Sequence, residues 1–336
     1  MALKVGFIGV GGIAQAHMPN VTAYKDTRIV GVCDVNKDRV KEAAGKLGAK
    51  GYASYKSMLK GQKVDAVYVC LPPAAHGNIE LDLAQRGIPF CVEKPVHINL
   101  KKAAAAAREV KKRGLVTSVG YQVRYAPQVE TAAEFLSTHP ITLLEGWFVG
   151  GMPGTPWWRQ KAISGGQAVE QTTHIFDLAR RLAGDVALVC AFGATGAMKD
   201  IENYDIEDAT IALLKFESGA IGHICSACVL NKGGAPHVGL RFDGRDFTVE
   251  LTYGSLTISS PSGKEQYDHS GALGPAMKQL DHTFLAAVES GDGSQIRCGY
   301  ADGVKSAAVS LAVNLSMEKG KPVSPPEMIA KAGGLD

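Results

Sequence analysis

Leu3 to Val10 is a short apolar run rich in branched residues, the pattern of a buried strand. Arg28 to Cys33, Val64 to Leu71, Pro89 to Val92 and Val116 to Gly120 repeat it. Helical patterns lie between these runs. One leads from Gly12 toward Ala23, and others cover Lys41 to Leu47, Tyr55 to Leu59 and Asn78 to Arg86. The alanine-rich stretch Leu100 to Arg113 is the last of them, ended by Gly114. Strands and helices alternating in this way predict a doubly wound parallel sheet over residues 1–121. A second domain is expected over residues 122–336. Its strand-like runs are Ile141 to Val149, Val186 to Phe192, Ala209 to Phe216, Ala220 to Leu230, His237 to Phe242, Phe247 to Leu251 and Ser255 to Ser259. Several alternate apolar with polar residues, as in a sheet exposed on one face. Gly271 to Pro275 reads as a mobile loop, and a helix at about 301–318 is expected to close the fold by packing back.

The first strand runs into Gly9-Val10-Gly11-Gly12-Ile13-Ala14, a G-x-G-x-x-A turn. In such a turn the first glycine allows the tight bend and the second admits a pyrophosphate to the backbone. The small third residue lets helix and strand pack closely, and the helix N-terminus offers N–H groups to the phosphates. An ordinary glycine-rich strand–helix turn is the alternative. The second strand ends at Asp34, where a carboxylate can accept bonds from an adenine ribose and repels a 2′-phosphate. NAD is therefore expected over NADP, although Lys37 lies nearby. Two later strand ends carry polar residues where such folds place ligands: Leu71-Pro72-Pro73-Ala74-Ala75-His76 and Glu93-Lys94-Pro95.

Composition narrows the class. The 336 residues suggest two domains, and 46% hydrophobic with 21% charged residues is ordinary globular usage. A net charge of +3 is no nucleic-acid footprint. No apolar run reaches the about 18 residues of a membrane span. Lys4 ahead of the run to Ala16 imitates a secretion signal, but four glycines break that run and the turn explains them. The seven cysteines are odd in number and sit mostly in apolar runs, as reduced thiols of a cytoplasmic protein do. Cys225 and Cys228 fall on opposite faces of a strand, which disfavours a shared metal.

The G-x-G-G-I-A turn at 9–14, the L-P-P-x-x-H at 71–76 and the E-K-P at 93–95 agree in order and spacing with the glucose–fructose oxidoreductase/inositol dehydrogenase/MocA (Gfo/Idh/MocA) family, which the sequence resembles. The resemblance implies a nicotinamide-binding Rossmann domain followed by an α/β domain on a large, mostly antiparallel open sheet. It implies that Lys94 is catalytic and that Gly9, Gly11, Gly12, Ile13, Ala14, Asp34, Leu71, Pro72, His76, Glu93 and Lys94 surround the cofactor. Val119 to Pro127 is similar to the family's crossover segment, which puts Gln122 and Arg124 on the substrate side.

Gly165-Gly166 is expected to open one helix that Gly184 ends. Ile175, Leu178, Ala179 and Leu182 form its buried stripe. Glu170, His174 and Asp177 share another face, where two carboxylates could fix an imidazole tautomer. The spacing fits a solvated helix face equally well. The family's usual pattern is a glycine pair, then Asp, His and Asp, so the resemblance favours the functional reading, with Glu170 in the first acid's place. Trp157, Trp158 and Arg159 suit a wall for a sugar ring or a packed domain junction, with Arg159 facing the ligand.

The expected chemistry is hydride transfer between a sugar or polyol carbinol carbon and NAD(P). His174 would be the general base and Lys94 the stabiliser of the oxyanion, or the two would exchange roles. Glu170 would hold substrate hydroxyls and Asp177 would orient the helix or imidazole. No metal is required. His17 and His97 read as structural. The alternatives are a redox-type glycoside-cleaving enzyme of the same fold and a non-catalytic sugar or NAD sensor. A second domain with an open sheet points to a homodimer or homotetramer.

Overall fold

The computed structural model describes residues 2–336 and contains two sheets. The first holds β1 (Leu3–Ile8), β2 (Thr27–Cys33), β3 (Lys50–Tyr52), β4 (Ala66–Val69), β5 (Phe90–Val92) and β6 (Thr117–Val119). All its pairs are parallel and the order is 3-2-1-4-5-6, the Rossmann arrangement. The order reverses between β1 and β4, so a crevice opens at their carboxyl ends. Helices α1 (Gly12–Ala23), α2 (Lys37–Leu47), α3 (Tyr55–Gly61), α4 (Ile79–Gln85) and α5 (Leu100–Arg113) connect the strands. Asn36 and Asn99 cap α2 and α5 by accepting first-turn N–H bonds, and Gly48 and Gly114 end them in left-handed conformation.

The second sheet holds β7 (Ile141–Val149), β8 (Val186–Ala194), β9 (Ala209–Phe216), β10 (Ile221–Ala227), β11 (His237–Gly244), β12 (Phe247–Thr252), β13 (Ser255–Ser260) and β14 (Gly263–Asp268). Its order is 14-13-12-11-7-10-9-8, and only β7 and β10 run parallel. Around it lie α6 (Pro127–Leu136), α7 (Lys161–Ser164), α8 (Gln167–Glu170), α9 (Thr173–Ala183), α10 (Leu273–Ser290), α11 (Tyr300–Lys319) and α12 (Pro325–Lys331).

Helix α11 joins the two halves. Tyr300, Val304 and Ala307 pack with Val92, Val119 and Ala107 of the first domain's core. Val309, Ala312 and Val313 belong to the core that underlies the second sheet. A Cβ at Gly303 would come within 2.7 Å of a Val119 methyl, so the helix lies hard against β6. This seating fixes the crevice between the sheets.

The expected mobile loop at 271–275 is corrected. Leu273 begins α10, and Pro275 sits in its first turn, where a missing N–H costs nothing. The C-x-x-C strand ends at Ala227. Cys228 is buried beyond it, 3.2 Å from the Tyr204 hydroxyl, and Cys225 lies half-buried in β10. No helix among the described residues is long and apolar enough to cross a membrane.

Candidate active site

The glycine turn is built for close approach. Gly9 has φ +87°, and a Cβ there would lie 2.2 Å from the Cys70 carbonyl oxygen. Gly11 and Gly12 have nothing within 4 Å of their Cβ positions, so their backbone faces open space. The first turn of α1 has no side-chain cap and no acidic residue, which leaves its N–H groups to an anion. Asp34 braces the turn: Oδ2 accepts the Val10 N–H at 2.9 Å and Oδ1 the Asn36 N–H at 2.9 Å. Each oxygen keeps a lone pair for a ribose hydroxyl. Ile13 and Val35 flank these residues in sequence, and Val35 is 95% exposed, an apolar surface beside the carboxylate. The cradle, the free helix end and the carboxylate fit a dinucleotide without 2′-phosphate.

His76 lies beneath this surface rather than on it. It is fully buried, with Nδ1 2.5 Å from Glu80 Oε1 and Nε2 donating to the Leu71 carbonyl at 3.3 Å. Burial opposes its protonation, but the Glu80 carboxylate outweighs burial and raises its pKa. It therefore braces the Leu71-Pro72 turn. Glu93 is likewise buried, with Oε1 3.1 Å from His17 Nε2 and Oε2 accepting the Lys94 N–H at 3.3 Å. His97 is bonded to the Gly77 carbonyl at 3.1 Å.

Three side chains meet at the carboxyl edge of β5. Lys94 Nζ donates to Glu170 Oε1 at 2.5 Å and to the Glu170 carbonyl oxygen at 2.6 Å. Trp158 Nε1 donates to Glu170 Oε2 at 2.8 Å. His174 stands beside them, its ring edge-on to Tyr121 at 5.8 Å, and its Nδ1 is buried without a partner. Burial, and secondarily the Lys94 charge, hold its pKa well below the ordinary 6.5. Lys94, Glu170 and His174 line a cavity of about 330 Å³ with Phe148, Trp157, Gln171 and Tyr253.

The single helix expected from Gly166 to Gly184 is broken, and the break makes this arrangement. Helix α8 ends at Glu170 and α9 begins at Thr173. In a continuous helix the Glu170 carbonyl would accept the His174 N–H. Here that N–H goes to the Gln171 carbonyl at 3.2 Å, and the freed Glu170 oxygen takes Lys94. Glu170 and Asp177 therefore do not share a face.

Asp177 serves another partner. Its two oxygens accept from Arg124 Nη2 at 2.6 Å and Nε at 2.7 Å, and Ser306 donates to it at 2.6 Å. Arg124 also bonds Asp302 and the Arg297 carbonyl, each at 2.5 Å. The expectation that Arg124 faces substrate is corrected: it is 4% exposed and locks α9 and α11 to the crossover turn. Breaking such a buried pair costs about 3–5 kcal/mol. Gln122 opens that turn, half-buried. Trp158 and Trp157 both line the cavity; Trp158 is 1% exposed and fixes Glu170 through its indole N–H. Arg159 is corrected as well: its Nη1 reaches the Glu202 carbonyl at 3.5 Å, and its side chain is not part of the cavity wall.

Residues 3–121 match the model of the oxidoreductase family with an NAD-binding Rossmann fold, and residues 140–257 match the Gfo/Idh/MocA C-terminal domain. The chain belongs to the Gfo/Idh/MocA family. It is an oxidoreductase whose cofactor is NAD. It is 28% identical to the myo-inositol 2-dehydrogenase of Thermotoga maritima over 225 residues, 66% of this chain and 67% of that one. It is 25% identical to an uncharacterized oxidoreductase, YrbE, of Bacillus subtilis, over 96% of each. A solved levoglucosan dehydrogenase in complex with NADH and levoglucosan superposes with a TM-score of 0.86 at 20% identity, covering 97% of this chain and all of that one.

Within this Gfo/Idh/MocA chain, sequence reasoning missed Phe148, Gln171 and Tyr253. Phe148 is one of the apolar positions of β7, and Tyr253 sits in the turn between β12 and β13, where nothing local marks a site. Gln171 was legible only as filler between Glu170 and His174.

Proposed function

We propose that the protein is an NAD-dependent dehydrogenase of a sugar or polyol carbinol carbon. The convergence of the Lys94 ammonium, the Glu170 carboxylate and the unpartnered His174 imidazole on one cavity carries this reading. The cavity opens at the edge of the nucleotide-binding sheet, where these folds bind ligand. Relatives named as inositol and levoglucosan dehydrogenases support the substrate class.

NAD, when bound, supplies the acceptor for the hydride that leaves the carbinol carbon. The N–H groups at Gly11, Gly12 and Ile13 would hold its phosphates and Asp34 its ribose. The protein manages the remaining charge. As the carbon–hydrogen bond breaks, the hydroxyl proton passes to His174, which is neutral and able to accept it. Lys94 donates to the same oxygen and stabilises its alkoxide character, an interaction worth most in the transition state. Glu170, held by Trp158, sets the Lys94 ammonium in place and accepts a neighbouring substrate hydroxyl. The free thiols suit a reducing compartment, and we place the protein in the cytoplasm on that ground.

The test is a Lys94→Ala variant with a polyol and aldose panel, following reduced nicotinamide by absorbance. We expect kcat to fall by at least about 10²-fold, with NADH binding by fluorescence titration unchanged. Near-normal turnover would overturn the assignment of Lys94.

A further inference from the structure

We infer that the substrate of this cavity is an uncharged ring, a free polyol or unphosphorylated sugar with one apolar face. The inference rests on the dehydrogenase reading for its chemistry and on the cavity wall for its specificity.

Charge is the first argument. The charged groups on the wall are Lys94 and Glu170, and they neutralise each other at 2.5 Å. The neighbouring cations in sequence stand off the wall: Lys161 Nζ lies 2.5 Å from Glu207, and Arg159, whose Nη1 reaches the Glu202 carbonyl at 3.5 Å, is not part of the lining. A phosphate, carboxylate or nucleotide diphosphate entering here would shed water and gain no unshared cation, which is costly. The imidazole adds no charge, since burial and Lys94 hold it neutral.

The polar atoms left over are the second argument. Gln171 Oε1, Tyr253 Oη and His174 Nδ1 are buried without partners, and all three residues line the cavity. Each such atom costs about 1–3 kcal/mol while unpaired. Hydroxyls both donate and accept, so a polyhydroxylated ring can serve an amide oxygen, a phenol and an imidazole together. Phe148, Trp157 and Tyr253 supply aromatic surface for the ring's C–H face. A volume of about 330 Å³ is at the small end of ligand cavities and suits a single ring.

The experiment uses the NADH-bound protein and matched ligands: myo-inositol with its monophosphate, and glucose with glucose 6-phosphate and glucuronate. Binding is read by tryptophan fluorescence, since Trp157 is on the wall, and turnover with NAD by absorbance. We expect at least one uncharged ring to bind and its charged partners to bind at least tenfold more weakly, about 1.4 kcal/mol. Charged partners binding as tightly, or no uncharged ring binding, would overturn the inference. Binding of an uncharged ring without NAD reduction would uphold it and sink the dehydrogenase reading instead. Tyr253→Phe separates binding from folding. It deletes an atom unpartnered in the free protein, so Tm should hold or rise while the ring binds several-fold more weakly. A lower Tm with unchanged binding would remove Tyr253 from the site.

Discussion

His174 shows how one residue's surroundings set its working range. An imidazole in water titrates at 6.5, but here burial and the Lys94 ammonium both disfavour its charged form. The folded pKa is therefore depressed, and the neutral base persists below pH 6.5. In the oxidative direction the acid limb of kcat/KM should lie below 6.5 and not at it. The same shift is a stability statement. As pH falls through 6.5, the unfolded chain binds a proton that the folded site refuses, so this residue's contribution to stability declines. A pH–rate profile with parallel NMR titration of the imidazole checks both. A limb at or above 6.5 would mean that the ring is hydrated and unaffected by Lys94. The spacing put His174 beside Glu170 on one expected helix face, and the family resemblance brought Lys94 to the same site. The sequence could not reveal that Asp177 faces Arg124, because that partner lies 53 residues away in the chain.

At the scale of elements, long-range polar ties decide what the local pattern leaves open. His17 on α1 reads as structural from sequence, and the fold shows what it joins. Its Nδ1 lies 2.7 Å from Asp281 on α10 and its Nε2 3.1 Å from Glu93 at the end of β5. Asn20 also donates to Asp281, at 2.8 Å. Burial opposes protonation of His17, but bonds to two carboxylates outweigh it and raise the pKa to about 10. The folded pKa exceeds the unfolded 6.5, so the stabilisation is complete below 6.5 and disappears as pH rises through about 10. Tm should fall across that window, and a His17→Gln variant, less stable at neutral pH, should lack this slope. An equal slope in both proteins would show that another group titrates. The buried strands were legible because both faces are apolar. Helix α10 was not, because its start, Leu273-Gly274-Pro275, imitates a loop and its anchor, His17, lies 264 residues away. The break between α8 and α9 carries no glycine or proline at 171–172, so the helical period ran through it unmarked.

At the scale of the whole molecule, the described residues leave one face of the second sheet uncovered. β7, β10, β9 and β8 are neighbours, and their outward side chains continue one another across the strands. Phe192 pairs with Ile211, and Ile221 pairs with Leu143. Phe192 is 64% exposed, Ile221 57% and Leu213 50%, values that isolated surface residues reach but a contiguous apolar patch rarely does in a monomer. The opposite face of the same sheet holds the core beneath α9 and α11, so the exposed one is free for a partner. A second copy of the chain is the occupant we propose, because a two-fold contact sets this patch against itself and covers both copies at once. Phe192→Asp with Leu213→Asp would put buried, unpaired like charges into that contact. We expect sedimentation to report a dimer or tetramer for the unaltered chain and a monomer for this variant. NADH binding should survive, since both positions lie on the face away from the cavity. An unaltered chain that sediments as a monomer would leave the patch without this role.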